Sequence, residues 1–319
     1  MKIVFMEAQS LGEDMDLSIF SQLGDVEIYQ LNTPEENAKR IQDADVVVMN
    51  KIKMDEALIK EAKNLKLICI TATGTDCVDV EYCAKHGIAV SNVVAYSTES
   101  VVQHTFALLF YLWEKSRFYD DYVKDGEYEK AVGFGCYPEK FLELYGKTWG
   151  IIGLGNIGRR VAEVASAFGC QVMYYSTSGK NDNSDFRRVE LEELLAKSDI
   201  LSIHAPLNDN TRGLICKETL SKMKKSAVLL NLGRGGIVVD EDLTQALEQD
   251  VIGAAGLDVL NQEPITAENP LNRIKDSKKL YITPHIAWAT VESRQRCVME
   301  VYRNIESFQK GVVRNSVQP

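Results

Sequence analysis

Residues 148–180 read TWGIIGLGNIGRRVAEVASAFGCQVMYYSTSGK: a short apolar run, a glycine-rich turn, a helix-patterned stretch and a second apolar run. The apolar blocks at 148–152 and 171–175 predict strands, and the helical spacing at 159–168 predicts a helix between them. Gly153-Leu154-Gly155-Asn156-Ile157-Gly158 is G-x-G-x-x-G, placed after a strand and opening a helix, which is the context the pattern needs. Gly153 permits the tight turn, Gly155 lets a pyrophosphate approach the backbone, and Gly158 lets the helix pack on the strand. The helix start adds free N–H groups and a positive dipole end for phosphate. A dinucleotide site is therefore the leading reading, and a plain turn of small residues the weaker one. An NAD site should carry an acid just after the second strand to hold the ribose hydroxyls. Ser176 stands there, followed by Thr177, Ser178, Gly179 and Lys180. Hydroxyls and a lysine suit a 2′-phosphate, which a carboxylate would repel. The turn favours NADP, or use of both cofactors; a polar turn with NAD held elsewhere is the alternative.

On both sides of this unit the chain keeps a strand, turn, helix rhythm. Strands are predicted at 2–6, 26–30, 45–49, 67–71 and 88–90, with helices at 35–41, 55–63 and 80–85. Short apolar strands alternating with amphipathic helices imply a parallel sheet covered on both faces. Residues 97 to about 123 predict one long, largely buried helix, and 124–146 an irregular surface excursion. Beyond the quoted stretch come a helix at 191–197 and strands at 200–203 and 227–231. A helix at 242–249, with Asp240 as its N-cap, precedes strands at 256–259 and 281–283. A last helix, from Thr290 to about Gln309, has no strand after it and is expected to pack back on another domain. The fold class is α/β, with two doubly wound parallel sheets.

A length of 319 residues fits about two domains. With 45% hydrophobic and 26% charged residues the chain is globular, neither disordered nor collagen-like. The longest apolar run, 106–113, is too short for a membrane span, which needs about 20 residues. The acid at Glu7 argues against a signal peptide. A net charge of −10 gives no global attraction for nucleic acid or anionic lipid, so an anionic ligand needs a local cationic device. Seven cysteines without C-x-x-C spacing suggest neither disulfides nor zinc; they fit reduced thiols in a cytoplasmic protein.

Three polar residues follow predicted strands. Arg234 lies in NLGRGG at 231–236, Glu263 in DVLNQEP at 258–264 and His285 in TPHIA at 283–287. Doubly wound sheets bind ligands outside the carboxyl ends of their strands, so all three reach one rim. Arg is a fork for a carboxylate, His can protonate a carbonyl oxygen as hydride arrives, and a Glu beside that His favours imidazolium. Singly each reads as an ordinary structural residue; the shared context points to hydride transfer beside a carboxylate. His104, on the long helix, reads as a core or interface residue, and His204, in His204-Ala205-Pro206, as lining the cofactor cleft.

With these residues the chain resembles the D-isomer-specific 2-hydroxyacid dehydrogenase family, most closely its glycerate dehydrogenase (hydroxypyruvate reductase) group, over essentially its whole length. The resemblance is carried by AYSTESVVQHTFALL (95–109), ELYGKTWGIIGLGNIG (143–158), NLGRGGIVVDEDL (231–243), LDVLNQEP (257–264) and ITPHIAWAT (282–290) with Arg294-Gln295-Arg296 after it. It implies a Rossmann cofactor domain at 99–287 inserted into a flavodoxin-like substrate domain made of 1–98 and 288–319. It implies reduction of a small 2-oxoacid, hydroxypyruvate or glyoxylate first, by NAD(P)H. His285 would be proton donor, Glu263 its partner and Arg234 the binder of the substrate carboxylate, together with the backbone of Thr73 and Gly74. Asp258 would lie near the nicotinamide carboxamide. Ala205, Pro206, Thr211, Leu232, Gly233, His285 and Ala287 would complete the cofactor set with the glycine loop, Ser176, Thr177, Ser178 and Lys180. A homodimer through the 97–146 region is also implied, with no metal. Ser176 departs from the Asp common among NAD users. A 3-phosphoglycerate dehydrogenase and an NAD(H)-sensing corepressor-like protein are the rival readings.

Overall fold

Twelve short strands form, most of them from apolar runs, and every ladder between them is parallel. The computed structural model describes residues 1–319. In chain order, β1 (Lys2–Phe5), β2 (Asp25–Ile28), α1 (Pro34–Ile41), β3 (Val46–Met49), α2 (Glu56–Ile59), β4 (Leu67–Ile70), α3 (Val80–Lys85) and β5 (Ala89–Ser91) come first. Then follow α4 (Thr98–Trp113), α5 (Ser116–Lys124), β6 (Thr148–Ile152), α6 (Asn156–Ala167), β7 (Gln171–Tyr175), β8 (Arg187–Arg188), α7 (Leu191–Lys197) and β9 (Ile200–Ile203). The rest are α8 (Lys217–Leu220), β10 (Val228–Asn231), α9 (Asp240–Glu248), β11 (Ala254–Leu257), β12 (Leu280–Ile282) and α10 (Val291–Gln309). No helix is long and apolar enough to cross a membrane.

The chain divides into two compact units, Met1–Ser97 with Ala289–Pro319, and Thr98–Trp288. The first has a five-stranded sheet of order β2-β1-β3-β4-β5, the flavodoxin-like winding. Its β3 and β4 are buried at every position, as a parallel sheet covered on both faces requires. α10 belongs to this unit: Cys297 Sγ lies 3.4 Å from the Thr71 carbonyl, and Asn304 Nδ2 donates to the Asn92 carbonyl at 3.0 Å.

The second unit has a seven-stranded sheet of order β12-β11-β10-β9-β6-β7-β8, the Rossmann winding with its switch point between β6 and β9. Alternate strand residues feed two cores. Leu201, Ile203, Leu229 and Leu257 pack with α7 and α9 on one face. Ile200, Val228, Leu230 and Trp149 pack with α4 and α6 on the other.

Several boundaries differ from the sequence expectation, three of them with a clear local cause. The helix expected over 97–123 is two helices. Lys115 is left-handed (φ 56°), which ends the ladder, and α5 beyond it buries no residue. The helix expected at 55–63 is α-helical only over Glu56–Ile59, because the chain then tightens and the Lys63 N–H turns to the Gln42 carbonyl at 3.0 Å. Asp240 is not the N-cap of α9; Val239 is, and Asp240 accepts from Asn269 Nδ2 at 2.9 Å inside the first turn. Burial raises the Asp240 carboxyl above the ordinary carboxylate range.

Candidate active site

β10, β11 and β12 are sheet neighbours running in parallel, so their carboxyl ends open on one edge. Arg234 follows β10, Glu263 follows β11 and His285 follows β12. The structure joins two of the three directly: His285 Nδ1 lies 2.6 Å from Glu263 Oε2. The other oxygen, Oε1, accepts the Leu260 N–H at 2.9 Å, so Glu263 is anchored to its own loop while it orients the imidazole. With Nδ1 committed to Glu263, Nε2 is the nitrogen left for a substrate. His285 itself is left-handed (φ 56°), a conformation that costs a non-glycine residue about 1–3 kcal/mol.

That strain is retained because Asp258 grips the surrounding loop. The Asp258 carbonyl accepts the His285 N–H at 2.8 Å, and its carboxylate accepts the Ile286 and Ala287 N–H groups at 2.9 Å each. Arg234 is set by a residue that sequence reasoning passed over. Asn231, buried at the end of β10, accepts the Gly233 N–H at 3.1 Å and donates to the Arg234 carbonyl at 3.1 Å. The Arg234 guanidinium donates to the Gly233 carbonyl at 2.9 Å and pairs with no carboxylate of the protein.

The glycine loop meets the requirements of a pyrophosphate site. Gly153 has φ +91°, and a Cβ there would sit 2.9 Å from the Ala205 backbone; one at Gly158 would strike the Gly153 carbonyl oxygen at 2.2 Å. A Cβ at Gly155 would meet nothing within 4 Å, so a cradle lies open beside the helix start. α6 begins inside the motif, at Asn156 with Gly155 as N-cap, earlier than the expected 159. The N–H groups of Asn156, Ile157 and Gly158 therefore lack helical acceptors and can face an anion. The Leu154, Ala205, Leu232 and Ala287 side chains are buried in the core, so only their backbones can serve a ligand. Thr211 closes the turn after Pro206, whose carbonyl accepts its hydroxyl at 2.7 Å. Both His204 ring nitrogens are shut away without a partner, and burial pulls its pKa down to about 3, so it is a neutral packed residue.

At the end of β7 the hydroxyl of Ser176 is not presented outward. Ser176 is 5% exposed, and its Oγ accepts the Asn181 N–H at 3.2 Å. Ser178 and Lys180 are exposed, and Thr177 is half-buried. A residue missed from sequence joins them. β8 pairs with β7, Tyr174 opposite Arg188, and Arg188 Nη2 stands 4.0 Å from where a Cβ of Gly179 would be. Its neighbour Arg187 is paired with Glu193 at 2.7 Å, whereas Arg188 pairs with no carboxylate. Only the two-residue strand β8 brings Arg188 here, and its polar sequence gives no strand signal.

Thr73 and Gly74 belong to the first unit, on the loop after β4. The Thr73 hydroxyl donates to the Val93 carbonyl at 2.9 Å, and Asn92 Nδ2 donates to the Thr73 carbonyl at 2.8 Å. The N–H groups of Thr73 and Gly74 donate to no atom of that unit.

Comparison with known proteins gives concordant likenesses. Residues 106–287 match the family described as D-isomer specific 2-hydroxyacid dehydrogenase, NAD binding domain. The chain is 38% identical over 318 residues to a hydroxypyruvate reductase of Blautia hydrogenotrophica, covering 98% of each chain. It is 36% identical over 318 residues to a glycerate dehydrogenase of Methylorubrum extorquens, covering 99% of each. Among solved structures, an acyclic imino acid reductase in complex with NADPH and D-Arg superposes with a TM-score of 0.88 at 30% identity, covering 99% of this chain and 100% of that one.

Proposed function

We propose, from the premise that this chain belongs to the D-isomer-specific 2-hydroxyacid dehydrogenase family, that it reduces hydroxypyruvate or glyoxylate with His285 as proton donor. It is an oxidoreductase of 2-hydroxyacids with a nicotinamide cofactor. The observation that carries the finer reading is the 2.6 Å contact between His285 Nδ1 and Glu263 Oε2. With Nδ1 held by the Glu263 carboxylate, Nε2 is the ring nitrogen directed to the substrate as the proton-donating atom. Hydride for C2 is what a reduced nicotinamide supplies when bound. As C2 becomes tetrahedral, the His285 Nε2 proton passes to the carbonyl oxygen and leaves a neutral ring against Glu263. The unpaired Arg234 fork takes the substrate carboxylate. The part assigned to the Thr73 and Gly74 N–H groups rests on the family resemblance.

For the cofactor, the acid-free turn with exposed Lys180 and Arg188 supports NADPH, or use of both forms. The test is a panel of NADH and NADPH oxidation with hydroxypyruvate, glyoxylate, pyruvate, phenylpyruvate and 3-phosphohydroxypyruvate. The expected outcome is the highest kcat/KM on hydroxypyruvate or glyoxylate, with NADPH at least equal to NADH. Turnover of 3-phosphohydroxypyruvate above both would replace the substrate assignment. A strong NADH preference would defeat the cofactor assignment.

The same reading includes a homodimer through 97–146. Val132 is fully exposed, Phe134 is 94% exposed, and Tyr137 and Tyr145 are 76% exposed. Large side chains left this bare in one segment support an association surface there. Light scattering should give twice the mass of one chain, and Phe134→Glu combined with Tyr137→Glu should shift it toward the monomer. A monomeric wild type at micromolar concentration would count against the dimer.

A further inference from the structure

Helix α4 touches both flanks of the loop that carries the candidate proton donor. On the carboxyl side of His285, the Ser100 hydroxyl donates to the Ala287 carbonyl at 2.5 Å. On the amino side, His104 Nε2 lies 2.9 Å from Thr283 Oγ1. Positions 100 and 104 are four apart and share one helix face. Between the two contacts Asp258 takes the middle of the loop. We infer that Ser100 and His104 of α4 are positioning residues that, through Thr283 and Asp258, hold His285 in its left-handed conformation against Glu263.

A proton count supports the assignment. Thr283 Oγ1 lies 2.6 Å from Asp258 Oδ1, and an ionised carboxylate can only accept, so the single hydroxyl proton of Thr283 goes to Asp258. His104 Nε2 must then be the donor to Thr283 Oγ1, which specifies the Nε2–H tautomer. The chain of donors runs His104 Nε2–H to Thr283 O–H to Asp258 Oδ1. Asp258 is 2% exposed and Thr283 5%, so neither can exchange these partners for water. His104 is neutral in this arrangement: burial lowers its pKa, and the Asp258 carboxylate 3.5 Å away opposes that only in part.

The consequence lies at the imidazole. Asp258 grips the Ile286 and Ala287 N–H groups only while its carboxylate keeps its rotation, and the Thr283 hydroxyl sets that rotation. Ser100 prevents the far end of the loop from swinging away. Loosening either flank lets His285 leave its strained conformation, and a shift of tenths of an ångström at the proton donor is costly for the reaction. The inference rests on the proposed role of His285.

The experiment compares His104→Leu, which removes the donor at similar volume, with His104→Gln, whose amide N–H can reach Thr283. His104→Leu is expected to lower kcat by about tenfold while KM and NADPH affinity stay within about twofold. His104→Gln should recover most of the loss. In ¹⁵N-histidine-labelled protein, the downfield proton of the His285–Glu263 hydrogen bond, assigned by its loss in His285→Ala, should persist with glutamine and move upfield or broaden with leucine. Wild-type kcat with an unchanged resonance in His104→Leu would overturn the inference, as would glutamine performing no better than leucine. Should the leucine variant not fold, Ser100→Ala takes its place with the same two readouts and the same overturning result. If His285→Ala turns over normally, the proton-donor reading fails, while the resonance still decides whether α4 orients the imidazole.

Discussion

The two ends of the carboxyl edge of the seven-stranded sheet are built in opposite ways. After β10, β11 and β12 the polar groups are engaged with one another: Glu263 spans Leu260 and His285, Asn231 ties Gly233 to Arg234, and Asp258 accepts three N–H groups. After β7 and β8, the cationic groups Lys180 and Arg188 stand exposed and unpaired. The proton transfer proposed for His285 depends on atoms placed to within tenths of an ångström, and its imidazole is held by hydrogen bonds formed on folding. Choosing between cofactors that differ by one phosphate needs only positive charge nearby, which acts across several ångströms. The locked end should be intolerant of substitution and the exposed end graded in its response.

The hardest test of that contrast is His285→Ala. Loss of a general acid should lower kcat by about 10²–10⁴-fold, with NADPH affinity measured by fluorescence nearly unchanged. A loss below about tenfold would place the proton donor elsewhere. Arg234→Lys comes next. Lys keeps the charge but not the two-point grip, so KM for the 2-oxoacid should rise about 10- to 100-fold with a smaller change in kcat. An unchanged KM on every 2-oxoacid would remove Arg234 from carboxylate binding. The smallest effects belong to the exposed turn. Arg188→Ala should lower the ratio of NADPH to NADH efficiency by about two- to fivefold, the size of an exposed ion pair, and raised salt should shrink the difference. Ser176→Asp should move the same ratio further toward NADH. An Arg188→Ala effect as large as that of His285→Ala would erase the distinction between the two ends.

Much of this was legible in the sequence because the signals are local. Strands at 148–152, 171–175 and 200–203 and the helix at 191–197 appear with the expected bounds, since an apolar block between polar turns has one reading in a covered parallel sheet. What was missed depends on partners distant in sequence. The break at Lys115 separates two stretches that are each good helix, and periodicity is silent on the left-handed residue between them. The early end of α2 follows from a hydrogen bond to Gln42. Ser176 is a hydroxyl on paper, but its burial makes it a support for Asn181, and the exposed charge comes from Lys180 and Arg188.

The sequence alone determined the residue types and their order: a glycine loop at 153–158 between strand and helix, a turn without an acid at 176–180, and Arg234, Glu263 and His285 each after a strand. These are properties of short segments, and backbone sterics and hydrophobic periodicity suffice to read them. Only the tertiary structure decided how His285 is held. Its left-handed backbone is disfavoured for an isolated residue and persists because Glu263, Asp258, Thr283, Ser100 and His104 converge on one loop from β11, β12 and α4. Each bond is modest, and the sheet order that makes their positions coincide is a property of the whole folded unit.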